Sequence, residues 1–413
     1  MSIFTDKETF RYNTLHQMVL SQKPNAEKQL DIKNKMSINK KSSQSLTPVH
    51  LACINPNYKI LEELIKNGGE IEFLDNKGRK PIHYAALFKG PGPLKVLIDN
   101  NCNVNDREKN EFTPLIHACR AGRYENVKIL LENQADPLAR PGGGQCMGIH
   151  YACLKDTEDN LKIIKLLLEK NPELIDINGK DRKTPLHFAV LYNCYKIVEF
   201  LVKSGANLNK GDKYGRTPLL LSCKYGNSKI TKFLIDAGAN INKSDNSNNS
   251  PLHYACAFGN LECVKVLLES GADINYLNMN KNLPIEIALL KNHNGIVKYL
   301  INYDKFNVDT KFGNGNYILL YYLLEIDETT FYSIKYIIED KKGDANVSNS
   351  NNMNAFHFLS HFTYRAYLSL FTSKKEKEKL TEDLHKNKYH PEYLKILVKY
   401  INFFKNKDCE PDQ

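Results

Sequence analysis

The chain has 413 residues, with 57 lysines and arginines against 47 aspartates and glutamates, and its formal net charge is +10 at pH 7. Met1–Lys7 lacks the apolar core of a signal peptide, and no apolar run is long enough to cross a bilayer, which argues against a secreted or membrane-spanning protein. A chain of this length ordinarily forms roughly two or three globular domains. The composition predicts a soluble, cytoplasmic protein.

A four-residue block recurs along the chain and sets a register. It is clearest as Thr47-Pro48-Val49-His50, Lys80-Pro81-Ile82-His83, Thr184-Pro185-Leu186-His187 and Ser250-Pro251-Leu252-His253. Its fourth position is filled in order by His16, His50, His83, Ile116, His150, His187, Leu220, His253, Glu286, Leu319 and His357. These positions lie 33 or 34 residues apart, except for steps of 37 and 38. A fixed period of roughly 20–50 residues indicates stacked structural repeats and overrides the multi-domain expectation.

Each repeat predicts two helices. A good N-cap residue precedes the proline of the block, and proline suits the first helical position because its missing N–H is not needed there. About ten residues further on, a second apolar run has helical spacing, as in residues 127–131 and 197–201. Glycine in a left-handed conformation is expected to end this second helix. The N-cap candidates are Thr47, Thr113, Thr184, Thr217 and Ser250, and the C-terminal glycines are Gly205, Gly238 and Gly271.

The block and its period resemble the ankyrin repeat, and the resemblance covers nearly the whole chain in about eleven repeats. It implies an all-α solenoid of helix-turn-helix units joined by hairpin-like loops. A single unit cannot bury both faces of its helix pair, so stability comes from stacking between neighbours. With helices roughly 8–10 Å apart, eleven units would form a curved rod on the order of 100 Å long with a concave side.

The register also divides the chain into segments. Residues 1–45 look like a degenerate N-terminal capping repeat, because the sequence turns polar through Lys28, Lys33, Lys35, Lys40 and Lys41. Residues 46–312 hold the regular repeats. Residues 313–413 diverge and contain a charged insertion near 373–390, interpreted as a solvated helical extension or a docking element. The step of 37 residues predicts extra loop residues at 155–159 and 171–173.

Catalytic, metal and cofactor sites are not predicted. The block explains seven of the twelve histidines as structural, and in the family that this chain resembles the histidine joins a hydrogen-bond network between loops. There is no C-x-x-C pair, H-E-x-x-H motif or phosphate-binding G-x-x-x-x-G-K-[ST] motif, and the glycines at 142–144 are interpreted as a loop. Five cysteines share one helical position and are expected to be buried, reduced thiols. They are Cys53, Cys119, Cys153, Cys223 and Cys256.

The resemblance implies a partner-binding surface on the concave side. Its positions are the loop tips before each block and the residues at the end of each first helix. The tip candidates are Lys77, Arg79, Lys109, Phe112, Lys180, Lys183, Lys213, Tyr214 and Arg216, and the helix-end candidates are Phe88, Arg120, Lys155, Tyr192, Lys224, Tyr225 and Phe258. Acidic residues at or beside the tips offset part of the charge, but the helix-end candidates include none. A basic face with interleaved aromatic residues predicts an acidic protein partner.

Three classes of function follow. The leading hypothesis is a non-enzymatic scaffold or structural subunit of a larger assembly. Asparagine- and lysine-rich tracts suggest, by analogy, an AT-rich protist genome, in which many all-ankyrin proteins occur in cytoskeletal or ciliary assemblies with acidic tubulin surfaces. A nucleic-acid binder is less favoured because no nucleic-acid motif is present. An enzyme-linked adaptor, such as a ubiquitin-ligase substrate receptor, would recruit its enzyme through residues 313–413.

Overall fold

The computed structural model describes residues 14–20, 38–143, 146–312, 317–319, 334–345, 347–348, 351, 354, 399–400 and 403. The chain divides into two compact units, residues 1–222 with 236–239 and residues 223–235 with 240–413. Within the described residues the regular structure is helical and contains no strand, which confirms the predicted all-α repeat class. The predicted insertion near 373–390 and Lys28, Lys33 and Lys35 lie outside these residues, and the predicted segment limits stay predictions.

Helix pairs recur in the first unit at the predicted period. The helix that starts at the block is called the first helix of a repeat, and the next is called the second helix. In chain order the helices are α1 (Thr14–Leu20), α2 (Pro48–Ala52) with α3 (Lys59–Lys66), α4 (Pro81–Leu87) with α5 (Gly92–Asp99), α6 (Pro114–Ala121) with α7 (Tyr124–Glu132), α8 (Gly148–Ala152) with α9 (Glu158–Lys170), and α10 (Pro185–Leu191) with α11 (Tyr195–Lys203). The first helices α1, α2, α4, α6, α8 and α10 pack successively side by side.

The second unit continues the same pattern. The boundary between the units passes through α12 (Pro218–Lys224) and α13 (Ser228–Asp236). Beyond it lie α14 (Pro251–Ala257) with α15 (Leu261–Glu269) and α16 (Pro284–Leu290) with α17 (Asn294–Asn302), and a π-helical turn spans Tyr336–Asp340. Helix α14 packs against α16, and α15 packs against α17.

The predicted helix boundaries are found where the sequence places them. Thr184 is extended, with φ −82° and ψ 168°, and its hydroxyl accepts a hydrogen bond from the N–H of His187 at 3.4 Å, while Pro185 opens α10. Thr113, Thr217 and Ser250 accept the equivalent bond. The second helices α11, α13 and α15 are followed by glycines with φ near +90°, namely Gly205, Gly238 and Gly271. At Thr47 the helix also begins with Pro48, but the threonine side chain makes no cap hydrogen bond to the helix backbone. The predicted helix starts and the predicted C-terminal glycines are therefore confirmed.

The repeat histidines connect neighbouring repeats. Nδ1 of His187 accepts the backbone N–H of Thr184 at 3.1 Å, and Nε2 lies 2.9 Å from the carbonyl oxygen of Arg216 in the next repeat. An N–H can only donate and a carbonyl can only accept, so the ring must be neutral and carry its proton on Nε2. The same pair of contacts is formed by His50, His83, His150 and His253. The expected loop network is confirmed for these five histidines, whereas His357 lies outside the described residues.

The extra residues between His150 and His187 were predicted to lie in loops, but several of them are helical. Residues 158 and 159 do not extend a loop, because Thr157 caps α9 and they form its first turn. Helix α9 has 13 residues and buries Ile163, Ile164 and Leu167, so the added residues lengthen an amphipathic helix. Residues 172 and 173 belong to a 3-10 helix, Pro172–Asp176. Interpreting all of these residues as loop was wrong because both segments have good helical starts.

The aligned cysteines are buried and form no disulfide, as predicted. The five cysteines at this position, which are Cys53, Cys119, Cys153, Cys223 and Cys256, all have 0% exposure. Burial raises the pKa of the Cys119 thiol to about 12, because the thiolate would lose its hydration inside the helix stack. These cysteines act as small apolar core residues rather than as nucleophiles.

Candidate functional site

In the first unit, two loop tips are each organised around their own buried aspartate. Oδ1 of Asp212 accepts the backbone N–H groups of Tyr214 and Arg216 at 2.9 and 3.0 Å, and Oδ2 accepts the Arg216 guanidinium at 2.7 Å. Asp75 holds Arg79 in the same way, with a 2.7 Å ion pair. Burial alone would raise the pKa of Asp212, but hydrogen bonds from Arg216 and from the backbone keep it below its ordinary value. Both arginines are therefore committed to their own loops.

Other predicted tip lysines are also engaged within the chain. Asp181 pairs with Lys213 at 2.7 Å and with Lys183 at 3.0 Å, and these two hydrogen-bonded lysines lower the pKa of its carboxyl group to about 2. The Asp181 carbonyl also accepts the backbone N–H of Lys213 at 2.8 Å. Lys109 donates from Nζ to the carbonyl of Asn76 at 2.8 Å. Their charges contribute less to an external partner than the sequence suggests.

A second group of cations remains open. Arg120 is the penultimate residue of α6, Lys155 follows α8, and Lys77 and Lys180 lie on loop tips, and all four are exposed. Lys224 ends α12 and is half-buried. Among the residues that the structure describes, none of these five forms an ion pair with a carboxylate. The five open cations are Lys77, Arg120, Lys155, Lys180 and Lys224.

The predicted aromatic residues also fall into two groups. Tyr192, Tyr214, Tyr225 and Phe258 are exposed by 52%, 50%, 48% and 50%. Phe88 is half-buried, and its carbonyl accepts a hydrogen bond from Asn126. Phe112 is also half-buried, and its ring centroid lies 5.7 Å from the ring centroids of His117 and Tyr151. Phe88 and Phe112 are thus partly structural, whereas the exposed group is available to a partner.

Within the first unit, the repeat geometry brings equivalent positions together. The N–H of Lys109 donates to the carbonyl of Lys77 at 3.1 Å, so neighbouring loop tips are joined through their backbones. Helices α6 and α8 pack together, which places the ends that carry Arg120 and Lys155 in adjacent repeats. In the second unit, Lys224, Tyr225 and Phe258 form one cluster. The candidate residues therefore comprise one set in each unit.

His117 was not predicted as a site residue, and it lies one position after the repeat-histidine position. Its ring is 5.7 Å from that of His83 in an edge-to-face arrangement, and its Nε2 has no hydrogen-bond partner among the described residues. Burial is the main cause that lowers the pKa of His117 to about 3, and electrostatic coupling to the His83 ring and the charges of Arg79 and Arg120 act in the same direction. The shifted histidine in residues 113–118, where Ile116 fills the usual position, was the available signal.

The described residues contain no group of three or more His, Cys, Asp or Glu side chains that could hold a metal ion. No helix in the same ranges is both long enough and apolar enough to cross a bilayer.

Two curated relatives share the repeat pattern and are much longer than this chain. The chain is 30% identical over 378 residues to the Caenorhabditis elegans poly [ADP-ribose] polymerase tankyrase, a match that covers 84% of this chain and 16% of that protein. It is 33% identical over 173 residues to the Gallus gallus nuclear factor NF-kappa-B p105 subunit, covering 41% of this chain and 17% of that protein. The chain thus spans less than a fifth of either relative.

A solved structure and the family profiles match as well. The crystal structure of the human ASB11 ankyrin repeat domain aligns with a TM-score of 0.45 and 26% identity, covering 51% of this chain and 92% of that domain. Profiles described as ankyrin repeats in three copies match residues 15–107, 145–212 and 205–278, and one described as ankyrin repeats in many copies matches residues 97–152. The profile matches cover more than half of the chain and, together with the helix pairs and their bridging histidines, show that the chain belongs to the ankyrin-repeat family.

Proposed function

We propose that this protein is a non-enzymatic scaffold that binds an acidic segment of a protein partner through the open cations of its first unit. The ankyrin fold is typically a non-enzymatic interaction module. The observation that carries the proposal is the separation of cations into two classes. Arg120, Lys155 and Lys180 are exposed and have no carboxylate partner in the described residues, whereas Arg79 and Arg216 are bound to buried aspartates.

The open cations suit recognition of an acidic chain for a physical reason. A lysine already paired with an aspartate has part of its charge compensated, so a second carboxylate is attracted to it less strongly. An unpaired arginine or lysine keeps its full attraction and its N–H donors for a partner, and it raises the rate of encounter. Tyr192, exposed at the end of α10 in the same unit, adds an aromatic side chain of the kind found in binding hot spots.

A structural explanation makes a different prediction. Arg120 lies in the last turn of α6, where a cation is favoured by the partial negative charge of the helix C-terminus. If this were its whole role, charge reversal would lower the stability of α6 and leave the binding of an acidic segment unchanged. Stability and binding must therefore be measured on the same variants.

The test compares two triple variants with the same change in charge. The first carries Arg120→Glu, Lys155→Glu and Lys180→Glu. The control carries Lys128→Glu, Lys170→Glu and Lys196→Glu, which alter exposed lysines on the second helices α7, α9 and α11. The probe is a fluorescent peptide that repeats Glu-Ser-Glu-Gly-Ser, titrated at physiological salt.

We expect the first variant to bind the peptide about tenfold or more weakly, because three exposed ion pairs are replaced by repulsions. The control should keep affinity close to that of the wild type. Equal weakening in both variants would refute a localised site, because only net charge would then matter. Stronger binding of a single-stranded oligonucleotide, with a steep salt dependence, would favour the nucleic-acid hypothesis instead.

The wider setting stays a prediction. A cytoskeletal or ciliary assembly was suggested by composition alone, and the adaptor hypothesis depends on residues 313–413, most of which lie outside the described set. The acidic character of the partner is the part of the hypothesis that the open cations support.

A further inference from the structure

The second unit contains a lysine held between two exposed aromatic rings. Nζ of Lys224 lies 5.4 Å from the ring centroid of Tyr225 and 5.2 Å from that of Phe258. Both rings are about half exposed, at 48% and 50%. Cation–π attraction at these distances restricts the side chain without using its N–H groups in charged hydrogen bonds. The described residues provide no carboxylate for this ammonium group.

The backbone beneath the cluster is fixed by the following repeat. Nδ2 of Asn260 donates to the carbonyl oxygens of Cys223 and Lys224, at 2.7 and 3.1 Å. These are the last two carbonyls of α12, which would otherwise lack partners at a helix C-terminus. A Cβ atom on Gly226 would approach Oδ1 of Asn260 to 2.7 Å, so the turn that follows Tyr225 is closely packed.

The second ring is also held in place. Phe258 stacks on Tyr254, with ring centroids 6.1 Å apart and an angle of 19° between the planes. The Tyr254 hydroxyl donates to Oδ2 of Asp245 at 2.9 Å, which ties the pair to the preceding loop tip. A cluster that is ordered before binding loses less side-chain entropy when a partner arrives.

We infer that this cluster selects an acidic residue that has a large apolar residue as its neighbour in the partner segment. The carboxylate would accept hydrogen bonds from the Lys224 ammonium group, while the apolar side chain would cover the faces of Tyr225 and Phe258. Leu290 ends α16, which packs against α14, and its 60% exposure adds apolar surface to the adjacent repeat. The inference rests on the proposed function. It adds that the partner segment carries an apolar side chain beside its acidic residue, which recognition of acidic charge alone would not require.

The test uses two peptides with the same charge and length. One repeats Glu-Leu-Glu-Gly-Ser, and the other repeats Glu-Ser-Glu-Gly-Ser. Covering the two rings with a leucine should make the first peptide bind about tenfold more tightly to the full-length chain. The Phe258→Ala change should abolish most of this preference and leave the serine peptide nearly unaffected.

Charge is tested separately. Lys224→Met keeps the apolar stem and removes the ammonium group, so we expect it to weaken both peptides by about tenfold. The matched control is Lys298→Met, which alters an exposed lysine on the second helix α17 and should change neither affinity. Thermal unfolding of each variant by circular dichroism checks that the helices are retained.

The possible failures are distinguishable. Equal affinity for the two peptides, with the first-unit triple variant still defective, would overturn this inference and leave the proposed function standing. A leucine preference that survives Phe258→Ala would place the apolar contact elsewhere and would also overturn it. Failure of both peptides to bind would overturn the inference together with the proposed function.

Discussion

Acid should destabilise the first unit through its repeat histidines. The pKa of His187 is lowered to about 4 by burial, which outweighs the opposing hydrogen bond to the Arg216 carbonyl. An unfolded histidine has a pKa of about 6.5. Between these two values the unfolded chain binds more protons than the folded one, so stability falls as pH falls. The stabilisation is fully present above about pH 6.5 and is lost progressively down to about pH 4.

The size of the effect follows from the two pKa values. From about pH 7 to about pH 5, one histidine with this shift removes about 2 kcal/mol from the free energy of unfolding. His50 and His150 also have pKa values of about 4, mainly because of burial. The three together could remove about 6 kcal/mol, which is comparable with the whole stability of an ordinary domain. Asp75 and Asp212 act in a lower range, because their folded pKa values lie below the ordinary 3.8.

Urea unfolding followed by circular dichroism measures this effect directly. The informative variant is His187→Leu, because Leu220 occupies the equivalent position in the next repeat. It should cost about 1–2 kcal/mol at neutral pH through loss of the bonds at Thr184 and Arg216. Between about pH 7 and about pH 5, the free energy of unfolding of this variant should fall by about 2 kcal/mol less than that of the wild type. Identical losses in both proteins, or no loss in the wild type, would refute the assignment of a neutral ring.

Two further predictions concern packing and loop structure. Gly179→Ala should lower the urea midpoint and reduce the free energy of unfolding by about 1–3 kcal/mol, because the added Cβ atom would lie 2.8 Å from Nε2 of His150. Gly142→Ala is the control and should have little effect, because its Cβ atom would lie 3.4 Å from the nearest neighbouring atom. Asp212→Ala should cost about 2–3 kcal/mol, because it leaves two loop N–H groups and a guanidinium without their acceptor. Exposed Asp99→Ala is its control, and equal costs at the two aspartates would contradict the loop description.

The fold was predictable because its determinants are local. A threonine or serine cap followed by proline favours the start of a helix, as at Thr113 and Ser250. The period then determines which helices become neighbours. The length of α9 was missed because its cap, Thr157, lies outside the repeated block and is visible only as a separate helix start.

The site was less predictable because it depends on contacts between repeats. The repeat pattern predicts that Lys213 and Arg120 are both exposed cations. In the structure, however, Lys213 pairs with Asp181, which lies 32 residues earlier in the chain. That pairing depends on how two loop tips align, which one sequence does not specify. The commitment of Arg216 to Asp212 was more accessible, since an aspartate four residues before an arginine favours a local ion pair.

The open cations, rather than the repeat histidines or the paired arginines, are proposed to contact the partner. Hydrogen–deuterium exchange with the Glu-Ser-Glu-Gly-Ser peptide tests this contact most directly. We predict slower exchange at the ends of α6 and α8, around Arg120 and Lys155, and in the loop around Lys180. Protection confined to the second helices α7, α9 and α11 would contradict the account.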